Sequence, residues 1–164
     1  MPERTTPYPL PDSAIVQLPP HDLAQVAVSI CRRVYGVELD YSRRSLHRLD
    51  GLLCERFRLG QYTAENFPGA FALALGAYLG AVLVRCLPDG QWGTSIDNLY
   101  RTPLPFLLFT RGEYERQLNV VEDCLTLLWT GDGLLPARYF NQNADGLRQI
   151  GFAIEASPTM AARR

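Results

Sequence analysis

The residue types that could do chemistry are few, and their spacing decides how far each can be taken. His47, Asp50 and Cys54 fall at i, i+3 and i+7 on a stretch of helical periodicity, the set a thiol hydrolase would use as base, orienting acid and nucleophile. The spacing argues against that chemistry. Seven helical residues separate His47 from Cys54 by about 10 Å along the axis, at about 1.5 Å per residue, whereas a nucleophile and its base must approach to about 3 Å. Asp50 is better placed to pair with His47, Arg43 or Arg44. Glu115 and Glu122 are also seven apart, but a carboxylate metal centre needs an E-x-x-H partner, and neither histidine provides one.

Arg85 is the stronger candidate. It falls near the end of a long apolar stretch, where its stem can lie on buried surface while the guanidinium meets carbonyls or an acid, a structural anchor near a helix end being the reading preferred over a binding role. Tyr78, seven positions earlier, and Trp92, just past the next turn, are placed to line the same concavity. Tyr78, Arg85 and Trp92 are therefore the candidate binding residues, and no catalytic residue is assigned. A Gly-rich phosphate loop, a G-x-S-x-G elbow and an H-E-x-x-H helix are all missing from the sequence. Cys31, Cys54, Cys86 and Cys124 include no C-x-x-C pair and there are only two histidines, so neither a metal site nor a cofactor is expected. The first residues lack the basic and apolar segments of a secretory signal, which makes the cysteines free thiols of a cytoplasmic protein.

The elements that must position these residues can be read from length, charge and periodicity. The 164 residues suit one domain. All 16 cationic side chains are arginine, and 17 acids leave a net charge of −1, which excludes recognition of nucleic acid or anionic membrane by bulk charge. The lack of lysine is read as the codon bias of a GC-rich genome. Seven arginines (32, 33, 43, 44, 48, 56 and 58) lie between residues 30 and 60, where the net charge is +3. Phosphate recognition is the functional reading of that cluster, and a solvated helix face with i, i+4 ion pairs is preferred.

Six of the twelve prolines lie in residues 1–20, which are expected to form an extended arm. A globular domain is expected over 21–156 and a frayed tail over 157–164. Leu23, Val26, Ala27, Ile30, Cys31 and Val34 predict a first helix stopped at Gly36. Ser42 is placed to cap a second helix, with Leu46, Leu49, Leu53 and Phe57 as its apolar stripe. Residues Asn66 to Val84 are 19 uncharged positions in a row, close to a bilayer-spanning length. Pro68 and Gly69 shorten the run and five alanines weaken its case for insertion, so it is read as the buried central helix of a soluble protein, from about Phe67 to Leu87, with Asn66 as cap. Gln91 to Phe109 predicts two short strands or an irregular hairpin, demoted to an edge by Pro103 and Pro105. Thr110-x-x-Glu113 reads as a capping box opening a fourth helix with Tyr114, Leu118, Val121, Cys124, Leu125, Leu128 and Trp129 on its face. Leu134 to Ile154 is a short helix or strand. The fold class expected is α+β, predominantly helical: about four main helices around a central apolar one, with a short β hairpin.

The run Leu39-Asp40-Tyr41-Ser42, followed by Ser45-Leu46 and Leu49-Asp50, resembles the opening of a family of small bacterial proteins of unknown function. In that family a helix of the type Gly76-Ala77-Tyr78-Leu79-Gly80, ending near Arg85, leads to a Gly-x-Trp turn, here Gly90-Gln91-Trp92. The likeness covers about Val37 to Trp92. Ala81 stands where an acid is usual, so the chemistry of such an acid is missing from this chain. The resemblance implies a cytoplasmic α-rich domain with a small β hairpin, and brings no known activity. The function expected is a non-catalytic binding or interaction module, of accessory or immunity type. The alternative is a small-ligand binder or enzyme with its pocket near Tyr78, Arg85 and Trp92. A protein partner is expected rather than nucleic acid or membrane, and self-association stays open.

Overall fold

The computed structural model describes residues 13–130 and 133–149. Along the chain run α1 (Ser13–Val16), α2 (Pro20–Ile30), α3 (Arg43–Arg58), α4 (Gly69–Cys86), β1 (Gly90–Ser95), β2 (Leu104–Arg111), β3 (Tyr114–Leu118), α5 (Val120–Thr130) and α6 (Pro136–Gln149). The fold is α+β and predominantly helical. Its strands form one antiparallel sheet in the order β1-β2-β3.

Everything is arranged around α4. Twelve of its 18 residues are buried, and Arg85 is its single exposed residue. A helix apolar on all sides must be covered on all sides. By length and hydropathy it is the one helix among the described residues that could cross a membrane, and 67% of it is buried inside the protein. Helix α2 makes the most extensive helix contact with it, and α5 covers another side. Two glycines permit the close approach. A Cβ on Gly76 would lie 2.8 Å from the Val121 Cα, and one on Gly80 would collide with the Trp92 ring.

The local signals explain most boundaries. Pro20 opens α2, and the chain then widens into a single π turn, Cys31–Tyr35, stopped by Gly36 at φ 66°, a left-handed conformation natural to glycine. Ser42 caps α3 as expected, its side chain accepting from the Ser45 N–H at 3.2 Å. Asn66 does not cap α4, which starts at Gly69 behind Pro68. Its side chain instead closes a turn, accepting from Thr63 N–H at 2.6 Å. The end of the expected extended arm also differs: Ser13–Val16 is a helical turn, and Val16 is buried in the core. The rest of the arm up to residue 12, the tail and residues 150–154 lie outside the described residues.

The largest departure concerns the fourth helix. Thr110 to Leu118 is not helical but forms the end of β2 and all of β3, paired from Leu107↔Leu118 to Arg111↔Tyr114. Gly112 takes φ 61° as the first of two turn residues, the position a tight antiparallel hairpin reserves for glycine. Glu113 and Glu115 therefore belong to a hairpin, and α5 begins at Val120, where the Asn119 carbonyl accepts from Asp123 N–H at 2.8 Å. A third strand thus joins the expected hairpin. The segment from Leu134 resolves into helix α6.

Glycines separate the two kinds of helical position. Gly76→Ala drives a methyl into the α5 backbone and is expected to cost about 1–3 kcal/mol. Gly51 lies within α3 with open space where its Cβ would be, so Gly51→Ala is expected to gain up to about 1 kcal/mol. Urea denaturation of the two variants checks both signs.

Candidate functional site

Tyr78 is fully buried, yet its hydroxyl is the centre of a polar relay. It accepts from the Tyr41 backbone N–H at 2.8 Å and lies 2.6 Å from Ser45 Oγ. The Ser45 hydroxyl donates its one proton to the Ser42 carbonyl at 2.6 Å, so Tyr78 is the donor to Ser45. The relay runs from Tyr41 N–H through Tyr78 and Ser45 to the Ser42 carbonyl. It fixes a residue in an uncommon conformation: Tyr41 has φ 63°, a left-handed value that costs a non-glycine residue about 1 kcal/mol or more. The Tyr41 ring lies on that of Tyr78 at 4.9 Å, and its hydroxyl accepts from Gln25 at 2.8 Å. Burial raises the Tyr78 hydroxyl above its ordinary range, which keeps it protonated as the relay requires.

Arg85 serves the same loop. One turn-pair beyond Tyr78 on the same face of α4, it donates from Nη1 to the Asp40 carbonyl at 3.1 Å. Arg48 donates to the Glu38 carbonyl at 2.8 Å, and Arg32 holds the Glu38 carboxylate at 2.9 Å. Asp40 closes the loop on Ser42, accepting at 2.5 Å from its hydroxyl and 3.1 Å from its N–H. These bonds to Ser42 hold the Asp40 carboxyl below its usual range. Residues 38–42 form a strap tied across α3 and α4 from several directions.

The structure therefore brings two of the three candidates together. Tyr78 and Arg85 share the strap. Trp92 stands on the other flank of α4, against Gly80, about 200° around the helix from Tyr78 at about 100° per residue. None of the three lines the depression between the β1–β2 loop and α5.

The remaining chemistry-bearing groups are tied elsewhere. Asp50 accepts from the Ala137 N–H at 3.0 Å, capping α6 where helix amides lack partners. Arg43 lies over the Phe140 ring at 4.7 Å and donates to Asn141. Tyr139 donates to Asp123 at 2.5 Å, joining α6 to α5. His47 and Cys54 are exposed on α3. All four thiols are free, and burial pushes Cys31 up to about 11 and raises Cys86 and Cys124, away from thiolate reactivity. An aromatic cluster that went unseen in the sequence (Tyr35, Phe57, Tyr62, Phe67 and Phe71) closes one end of the bundle with Arg56 over Tyr35. Tyr35 and Phe57 come from the ends of the π turn and α3, Phe71 from the start of α4, and Tyr62 and Phe67 from the link between α3 and α4.

A depression of about 10 Å³ opens between the β1–β2 loop and α5, lined by Ser95, Asp97, Asn98, Phe106, Asn119 and Glu122 among others. That is room for about one water. Asn98 organises the loop, donating to the carbonyls of Ser95 and Thr102 and accepting from Tyr100 N–H. Burial first, then the charges of Asp123 and Asp97, raises the Glu122 carboxyl, and its Oε2 has no partner. No group of three or more metal-ligating side chains occurs among the described residues.

Against known proteins, the chain matches no family model and no curated sequence. It is similar in structure to a protein of Bacteroides thetaiotaomicron VPI-5482, crystallised at 1.50 Å resolution, with a TM-score of 0.60 and 14% identity over 88% of this chain and 50% of that one. At that identity the likeness is one of fold. The chain spans about half the length of that neighbour.

Two measurements test the relay and the buried acids. Tyr78→Phe removes the hydroxyl and is expected to cost about 1–3 kcal/mol, and pairing it with Ser45→Ala in a double-mutant cycle should give a non-additive loss. Asp50 and Asp123 have carboxyls raised by burial, against the bonds from Ala137 and Tyr139. The folded state then binds protons more readily than the unfolded chain, so these two groups oppose folding increasingly as pH rises from about 4, the ordinary carboxylate range. Asp50→Asn with Asp123→Asn should gain stability relative to the parent between pH 4 and 7, as followed by thermal melts. A difference independent of pH would show that the two carboxyls do not titrate with folding.

Proposed function

We propose that this protein is a cytoplasmic, non-catalytic module that binds another protein, in an accessory or immunity-type role. The observation that carries this reading is the use made of its polar side chains. Tyr78, Ser45, Arg48 and Arg85 are bonded to the 38–42 strap, while Asp50 and Asp123 hold α6. A nucleophile needs a base within hydrogen-bond reach, and the exposed His47 and Cys54 stand seven residues apart on one helix. A strap fixed at so many points is a rigid surface, and rigidity in the free state lowers the ordering cost of binding.

A thermal-shift screen against metabolite classes tests the reading. The expected result is that no class raises the melting temperature, while a partner isolated from the native host does so in proportion to its concentration. Reproducible stabilisation by one metabolite class, lost in Arg85→Ala and kept in Arg44→Ala, would overturn it in favour of a small-ligand site.

A further inference from the structure

Strand β2 carries apolar side chains on both faces: one meets the helices, and the other, beyond the buried Leu104 at its start, is only partly covered. Its sequence from Leu104 to Phe109 is Leu-Pro-Phe-Leu-Leu-Phe, without the alternation of a strand that has one face in water. On the helix side Leu107 and Phe109 are fully buried, in line with Trp92 and Gly90 of β1. On the opposite side stand Phe106, whose ring lies over Gly93, and Leu108, between Gln91 and Gln117. Both are only partly buried, and neither belongs to the core or to the side chains packed against it. The loop leaving this end of the sheet adds Ile96 and Leu99, 65% and 54% exposed.

The charged side chains on this face and in the depression beside it are acids, with Arg101 the one cation of the β1–β2 loop. Asp97 and Glu122 line the depression beside Phe106. Glu115 shares the outer face at the other end, opposite Thr110. Glu122 has Asp123 and Asp97 as its charged neighbours. A second copy would set these acids against their own kind. An anionic surface would meet the same repulsion.

Resting on the reading of this chain as an interaction module, we propose that the outer face of the sheet, centred on Phe106 and Leu108, docks a partner protein presenting apolar side chains ringed by arginine or lysine. The apolar centre supplies burial and the acidic margin selects the partner's charge. The hydrogen-bonded loop around Asn98 holds Asp97 in place before the partner arrives.

The test uses the full chain and two synthetic peptides with the same leucine and phenylalanine residues, one interleaved with arginine and the other with glutamate, followed by fluorescence anisotropy. The arginine peptide should bind and weaken as salt is added, and the glutamate peptide should not bind. Leu108→Gln and Phe106→Ser should each weaken binding about tenfold or more, with Leu108→Gln as the milder change if Phe106→Ser disturbs the sheet. Asp97→Arg with Glu115→Arg should reverse the preference. The proposal is overturned by equal binding of both peptides, by no saturable binding, or by full binding in Leu108→Gln. Concentration-dependent dimerisation lost in Leu108→Gln would also overturn it, assigning the face to a second copy. A native partner that binds Leu108→Gln as tightly as the parent would remove this face and leave the interaction module standing. A metabolite-specific shift in the thermal screen would remove the module itself.

Discussion

Helix α4 has no side it can give to water, and the other elements are placed by that demand. Its Gly76–Gly80 flank is shallow enough for the α5 backbone and the Trp92 ring to reach the helix axis closely. Its Tyr78 flank carries a hydroxyl that must be satisfied because it is fully buried. The two flanks recruit different neighbours by different physics: dispersion and close approach on one side, hydrogen bonding on the other. Arg85, at the helix end, extends the polar flank to the surface and pins the backbone that Tyr78 has already engaged.

This division explains why Tyr78, Ser45 and Arg85, side chains that suggest a site, are bonded to the backbone of residues 40–42 in this fold, with Tyr78 and Ser45 also bonded to each other. Tyrosine, serine and arginine converging on one segment would elsewhere suggest anion recognition. Here the acceptors and donors are backbone groups of residues 38–42, and Tyr41 is held in a left-handed conformation by the bonds it makes. The same economy operates at α6, where Asp50 meets a helix terminus and Asp123 meets a phenol. Buried carboxyls in those places carry a desolvation cost, and the fold accepts it in exchange for specifying where α6 sits.

How much of this could be read in the sequence depended on the range of the deciding interaction. The Ser42 cap is set by residues three apart and was legible. So was the pairing of Tyr78 with Arg85 on one face, which helical periodicity alone decides. Thr110-x-x-Glu113 carried an equally local signal for a helix start, and it lost to Gly112 and to cross-strand pairing between Phe109 and Arg116 and between Leu107 and Leu118. Asn66 kept its capping chemistry but spent it on the Thr63 turn. Trp92 was placed with Tyr78 because it follows closely in the chain. The path of the chain through the turn at Pro88 carries it to the far flank instead. The bond from Ala137 to Asp50 spans 87 residues, and no local pattern announces it.

The all-round burial of α4 also has a consequence in time. During synthesis α2 and α3 precede α4, so the Tyr78 flank can find its partners as soon as the helix forms. Val120, Val121 and Trp92, which cover the glycine flank, emerge later. Some 35 residues separate the end of α4 from Val121, and until they are made an 18-residue helix of mean hydropathy 1.7 keeps its Gly76 side without α5. The close fit of α5 on Gly76 is what ends that exposure.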